Sequence, residues 1–268
     1  KTIYFTQSTH TWVSSNNITK EGFLIDSIQT PTKQYFCGDL KNTIKNLLSS
    51  EKISEILTQI SGYKYFVNWQ NMLFDKSTGT TDHADTWYLD TLPRGRMIAC
   101  WIALENINKS AGRFFVFPKS HKLDISKITS SQIKNHFDYA KLIMSCMEKE
   151  GIKRYAPNLK KGDVLFWHPF TIHGSYNQTN KNFSRKSITA HYHPVGMARA
   201  EVEEKPEDIK KYISRMRKSN NPYISFDNSD PTEFNFVTLS LAKYFIKRYV
   251  FKKNMKSECL MDREEILK

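Results

Sequence analysis

From Tyr65 onward the apolar residues of the chain leave helical spacing for a period of two, and no other feature limits the available folds as much. Tyr65 to Asp75, Met97 to Glu105, Arg113 to Pro118, Asp163 to Pro169 and Lys186 to His193 are short aromatic and β-branched segments bounded by Gly, Pro, Asn or Asp. Several strands of this kind argue for a barrel or a sandwich. Upstream, Leu40, Ile44, Leu47 and Leu48, and then Ile53, Ile56, Leu57 and Ile60, recur at three and four residues. They predict helices packed outside the sheet, after an entry segment in which Ile18 to Ile28 is short and strand-like.

The strands are interrupted by Lys122 to Pro157, with a helical-looking piece from Ser130 to Lys149. Long insertions often cover a site, so this one is the lid candidate. After Pro194 the chain turns charged and helical, through Pro206 to Lys218 and Phe234 to Lys253. The expected organisation is one mainly β domain over 1–200, with the lid insertion at about 122–157 and flanking helices. A helical extension over 201–268 packs on the same domain. The last helix sets Phe236, Leu239 and Tyr249 among Lys243, Lys247 and Arg248, a composition able to lie on an anionic membrane as a peripheral contact. Its aromatic stripe reads first as packing.

Apolar residues make up 39% of the 268 positions, enough for a buried core. No run of 18 apolar residues marks a membrane span, the start is not signal-like, and Lys1 in place of Met predicts residues upstream. Cys37, Cys100, Cys146 and Cys259 lie far apart without a CxxC pair, which reads as reduced thiols in a cytoplasmic protein. Cys100, inside an apolar strand, reads as a small hydrophobe. The formal charge of +13 favours anionic partners, although much of it is lysine scattered as on a solvated face.

The chemistry concentrates after the first long strand. A loop containing Gly79 leads to His83-Ala84-Asp85, where a locally extended backbone would turn the imidazole and the carboxylate to one side. The strand from Asp163 leads to His173-Gly174-Ser175. Two histidines and one carboxylate on one face of an Fe(II) ion leave positions open for other ligands, which a closed structural zinc site does not. A lone HxD arises often by chance, and a lone strand histidine is usually a hydrogen-bonded core residue. His168, five residues before His173, is the rival ligand. His10, His121 and His136 read as surface or hinge positions.

The ordered set His83-Ala84-Asp85, Trp101-Ile102-Ala103-Leu104-Glu105-Asn106, Gly112 with Pro118-Lys119-Ser120-His121, Gly162-Asp163, His173-Gly174-Ser175 and Arg185 resembles the phytanoyl-CoA dioxygenase family over about Thr19 to Pro194. The resemblance implies a double-stranded β-helix, or jelly roll. It implies Fe(II) held by His83, Asp85 and His173, with 2-oxoglutarate as co-substrate and dioxygen as oxidant. It further implies a hydroxylase acting on a small molecule, with release of succinate and carbon dioxide. Related halogenases carry a small residue where Asp85 stands, so the carboxylate argues for hydroxylation or a related oxidation.

Arg185 matches the family's arginine for the far carboxylate of 2-oxoglutarate, a task suited to a planar guanidinium. Ser175 and Trp101 match positions that line the co-substrate. Trp101 also has small neighbours on its own face, Ala99 and Ala103, opposite Ile98, Cys100 and Ile102. A plain core aromatic is the alternative for it. Gln70 and Asn71 are candidates for polar contacts to co-substrate or substrate, and Trp87 and Tyr88 for a pocket wall or loop packing. His191 shares strand parity with Arg185, which puts it at the lumen or makes it a satisfied structural histidine, the latter preferred. A nucleic-acid demethylase of the same superfamily is the runner-up within the enzymes, but His191 stands where a second arginine is expected, and nucleic acid is not an expected partner. An idle jelly-roll binding module is the alternative from another class.

Overall fold

A computed structural model describes residues 3–6, 12–14, 16–33, 38–87, 89–123, 136–199, 221–226, 241–242 and 245–246. In chain order the strands are β1 (Ile3–Phe5), β2 (Trp12–Ser14), β3 (Ile28–Gln29), β4 (Phe66–Phe74), β5 (Thr91–Leu92), β6 (Ile98–Ala103), β7 (Phe114–Val116), β8 (Val164–Trp167), β9 (His173–Ser175), β10 (Ser187–Pro194), β11 (Ala198–Arg199) and β12 (Ile224–Phe226). The α-helices are α1 (Gly38–Leu48), α2 (Glu51–Ser61) and α3 (His136–Lys149).

The major sheet runs β12-β4-β10-β6-β8, with β3 also pairing β4. Neighbours from β4 to β8 are antiparallel, so β4, β10, β6 and β8 form the long wall of the jelly roll. Opposite it lies a minor sheet of short pieces: β9 pairs β7, His83 bridges His173, and Tyr155 bridges Val116. Side chains alternate across each strand, so both sheets have an inner and an outer face.

On the outer face of the major sheet, Ile98, Cys100, Ile102, Ile188, Ala190 and Tyr192 meet Ile44, Leu48, Ile53 and Leu57 of α1 and α2. Each of the isoleucines and leucines contributes about 1.5–3 kcal/mol by leaving water. Tyr192 donates its hydroxyl to Leu48 O at 2.8 Å, satisfying a carbonyl at the end of α1. Gly62, at φ 78°, ends α2 in a left-handed cap whose N–H donates to Thr58 O. Burial pushes the Cys100 thiol up to about 12, in keeping with a packing role.

On the outer face of the minor sheet, Ala84, Phe115, Phe117 and Ile172 pack against Tyr139, Ile143 and Met147 of α3. Tyr139 also hydrogen-bonds both backbone groups of Ala84, between His83 and Asp85. The described helix of the insertion thus buttresses the HxD segment from behind. Of the lid candidate at about 122–157, residues 124–135 lie outside the described residues, and the described remainder includes the helix that packs behind the HxD segment.

One reading of local structure changes. Ile18 to Ile28 is mostly a turn: Gly22 adopts φ 90°, Ile18 bridges Leu24, and only Ile28–Gln29 joins a sheet. The 19–22 stretch lacks period-two alternation and closes on itself through Gly22 N to Thr19 O. Between the two stretches that predict helix, the C-terminal extension contributes a short strand, β12, parallel to β4. Ile224 and Phe226 flank Ser225 in a short alternation after Pro222. The helices expected at Pro206 to Lys218 and Phe234 to Lys253 lie largely outside the described residues. Among the described residues no helix is long and apolar enough to cross a membrane.

Candidate active site

Between the two sheets lies a cavity of about 100 Å³, walled by Trp101, Phe114 and Trp167 and reached by His83, Asp85, His173, Arg185, Ser175 and Gln70. His83 and His173 are locked together by a two-bond antiparallel bridge, His83 N to His173 O at 3.0 Å and His173 N to His83 O at 2.9 Å. Their rings lie 4.3 Å apart between centroids. Gly174 is required beside them, because a Cβ there would stand 2.8 Å from both the Phe115 ring and Thr80 O.

Each imidazole is oriented by the backbone two residues before it. His83 Nδ1 lies 2.8 Å from Thr81 O, and His173 Nδ1 lies 2.9 Å from Thr171 O. A carbonyl oxygen only accepts, so Nδ1 carries the proton and the Nε2 lone pair is turned into the cavity. Asp85 begins a 3₁₀ turn at Asp85–Trp87, which departs from the extended triplet but still directs the carboxylate inward. Its Oδ1 lies 3.5 Å from His173 Nε2 and 3.7 Å from His83 Nε2. The three ligand atoms all fall within 4.8 Å of one another, a spacing that suits one metal ion.

The electrostatics agree with that use. Burial alone would raise the Asp85 carboxyl, but His173, His191 and His83 around it outweigh this and hold it well below the usual carboxylate range. Burial dominates at His173 and lowers its ring, with the Asp85 charge opposing, so the imidazole stays neutral and able to donate a lone pair.

Arg185 is fully enclosed, its guanidinium 5.3 Å over Phe74 and 5.8 Å over Trp101. Among the described residues no carboxylate pairs with it and its Nε has no hydrogen-bond partner. Burial pulls it down to about 10, which leaves it charged at neutral pH. A buried guanidinium without a carboxylate partner is costly unless an anion completes it, so the chemistry of this position suits an anionic ligand.

Ser175 Oγ accepts from Thr80 N at 2.8 Å, tying β9 to the loop before His83. Gln70 lines the cavity with Oε1 buried and unpartnered. Its neighbour Asn71 points to the other face, donating to Asn68 Oδ1 and Thr32 Oγ1, so that candidate is corrected to a structural amide. The rival His168 lies apart from the cluster, its ring 5.8 Å from His121 and its Nδ1 accepting from Phe170 N. The Trp87 side chain, Tyr88 and His10 lie outside what is described. Of the two readings of His191, the structure shows the one facing the lumen, with Nε2 3.6 Å from Asp85 Oδ2 and Nδ1 unpartnered, rather than the preferred satisfied core histidine.

Trp167 was missed. Its Nε1 donates to Asp85 Oδ2 at 2.9 Å. The available signal was parity with Leu165 on a strand leading to His173, together with the rule that a buried indole N–H finds an acceptor.

A family model described as phytanoyl-CoA dioxygenase (PhyH) matches residues 3–187. The chain belongs to the phytanoyl-CoA dioxygenase family. Among curated members, the mouse peroxisomal phytanoyl-CoA dioxygenase is 32% identical over 118 residues, covering 41% of this chain and 32% of that protein. The rice phytanoyl-CoA dioxygenase 1 is 25% identical over 159 residues, covering 57% of this chain and 53% of that protein. The match therefore spans about a third of the length of the mammalian relatives. Among solved structures, EctD from S. alaskensis with bound Fe aligns at TM-score 0.49 and 17% identity, covering 80% of this chain and 73% of that one. The alpha ketoglutarate dependent carbocyclase SnoK from nogalamycin biosynthesis aligns at TM-score 0.49 and 18% identity, covering 64% of each.

Proposed function

We propose that this member of the phytanoyl-CoA dioxygenase family is an Fe(II)- and 2-oxoglutarate-dependent dioxygenase that hydroxylates a small anionic metabolite or biosynthetic intermediate. One observation carries the reading: a two-imidazole, one-carboxylate cluster shares a single buried lumen with a guanidinium that no carboxylate among the described residues neutralises. An N₂O donor set beside open cavity fits a divalent iron centre, and Arg185 fits the far end of a dicarboxylate.

In this reading His83 Nε2, His173 Nε2 and Asp85 Oδ1 hold the metal, and Arg185 binds the carboxylate of 2-oxoglutarate remote from it. Ser175, Trp101 and Gln70 bound the space between. Bound Fe(II) with 2-oxoglutarate supplies dioxygen activation, one oxygen atom going to the substrate as hydroxyl and the other to succinate, with loss of carbon dioxide. The chain's part is to orient and to exclude water: Phe114, Trp101 and Trp167 dry the lumen, and the Nδ1 bonds to Thr81 and Thr171 stop the imidazoles from turning. Drug-sized ligands need pockets of roughly 300–1,000 Å³. The cavity of about 100 Å³ thus suits the co-substrate and leaves little room for a larger prime substrate within it. The +13 charge supports an anionic substrate.

The test is succinate formation by protein loaded anaerobically with Fe(II) and 2-oxoglutarate and then exposed to air. His83→Ala is expected to lose both metal and turnover, and Arg185→Ala to keep the metal but lose the keto acid. If the unaltered protein shows neither turnover nor the visible absorption of an Fe(II)–2-oxoglutarate complex, the binding-module reading replaces this one.

A further inference from the structure

Trp167, Ala99, His191 and Gln70 are successive register partners across β8, β6, β10 and β4, so they form one row on the inner face of the major sheet. Ala99 in the middle of that row offers only a methyl group. Over it the Trp167 indole and the His191 imidazole meet edge to face, 6.2 Å between centroids at 88°. Both are aimed at the same atom, Asp85 Oδ2, the indole at 2.9 Å and the imidazole at 3.6 Å. The other oxygen, Oδ1, is the one that faces His173 and His83. The two oxygens of a completely buried carboxylate are therefore assigned to different partners.

We infer that Trp167 is a positioning residue that reserves Asp85 Oδ2, leaving Oδ1 as the single oxygen offered to a metal, and that Ala99 is the small residue that lets the indole and His191 reach it. The inference rests on the metal role proposed for His83, Asp85 and His173. An indole N–H is a donor only and cannot itself bind a cation, so its contact with Asp85 is purely directional. In a roughly six-coordinate iron site, three protein donors and a two-point keto acid leave one position. A second oxygen from Asp85 would take it. The indole is held for this task by ring contacts with Phe114, 5.1 Å, and His173, 4.8 Å, so it resists turning away.

The experiment is a double-mutant cycle read by Co(II) binding, with the cobalt absorption bands as a second signal. Trp167→Phe keeps the ring and removes the donor. Outer-sphere partners of this kind are worth about 10–100-fold in metal affinity, so Trp167→Phe, which frees Oδ2 and unsettles the carboxylate, is expected to change Co(II) affinity by about tenfold or more and to shift the cobalt bands. In an Asp85→Ala background the same change should have no effect, because Trp167 acts only through Asp85. Unchanged affinity and bands in Trp167→Phe, or an equal change in both backgrounds, would overturn the inference while leaving the metal site intact. Should Trp167→Phe fail to fold, benzothienylalanine at position 167 keeps the indole outline with sulfur in place of N–H and faces the same two outcomes. Failure of the unaltered protein to bind Co(II) at all would instead overturn the metal reading, and this inference with it.

Discussion

The two sheets of the jelly roll are built on different terms. The major sheet has long strands, and all eight residues of β10 are buried, paired along their length by β4 and over Ser187–Tyr192 by β6 as well. The minor sheet is made of the three-residue strands β7 and β9 and of isolated bridges at His83 and Tyr155. Yet His83, Asp85 and His173 come from the minor side. The major sheet supplies Arg185's neighbours, Trp101 and the row that steadies Asp85. Regular pairing provides a rigid wall, and short irregular backbone opposite it is free to turn side chains toward a common point.

If that division holds, damage to the major sheet should cost stability and spare the metal. Ile188→Ala removes a fully packed side chain between β4 and β6 and is expected to cost about 2–5 kcal/mol in chemical denaturation. Metal affinity per folded molecule should not change, and a parallel loss of affinity would break the comparison. Gly174→Ala strikes the minor sheet instead, forcing a methyl group against the Phe115 ring and Thr80 O. We expect a smaller loss of about 1–3 kcal/mol, accompanied by weaker Co(II) binding because His173 is displaced. Preserved affinity there would show that the minor sheet tolerates more than its packing suggests.

The smallest effect is with pH. Burial holds His173 and His168 below the usual imidazole value of 6.5 in the folded protein. The unfolded chain therefore takes up protons that the folded rings refuse. Stability of the metal-free protein should be fully present above pH 6.5 and decline below it, by at most about 1.4 kcal/mol per pH unit for each ring until that ring's lowered folded value is passed. Urea midpoints at pH 7.5, 6 and 5 would measure the decline, and saturating Co(II), by keeping His173 unprotonated to lower pH, should extend the share that belongs to His173. A flat profile would remove histidine burial as a factor.

Much of this division was legible in the sequence because strand periodicity is a strong signal. Alternation over Met97 to Leu104 separates Ile98, Cys100 and Ile102 from Ala99, Trp101 and Ala103, and those are the two faces the structure shows. The same rule was available for Gln70 and Asn71, since adjacent strand residues cannot face one lumen. Hidden from the sequence was everything that depends on pairing at a distance: the Trp167 bond to Asp85, the unpartnered His191 nitrogen, and β12, recruited to the sheet edge by parallel pairing with β4. Three-residue strands lie near the lower limit of what periodicity can register.

The bridge between His83 and His173 bears on how the protein reaches its native state. It joins positions separated by most of the β domain, and closing a loop of about 90 residues costs roughly 4 kcal/mol of chain entropy. Before closure the His83–Asp85 segment offers a passing ion only two donors; the third arrives with β9. Capture of a metal is therefore expected late, after the sheets have met, and an ion that binds only the closed form shifts the balance toward it by mass action. Metal supply would then set the share of the protein that is folded as well as its chemistry.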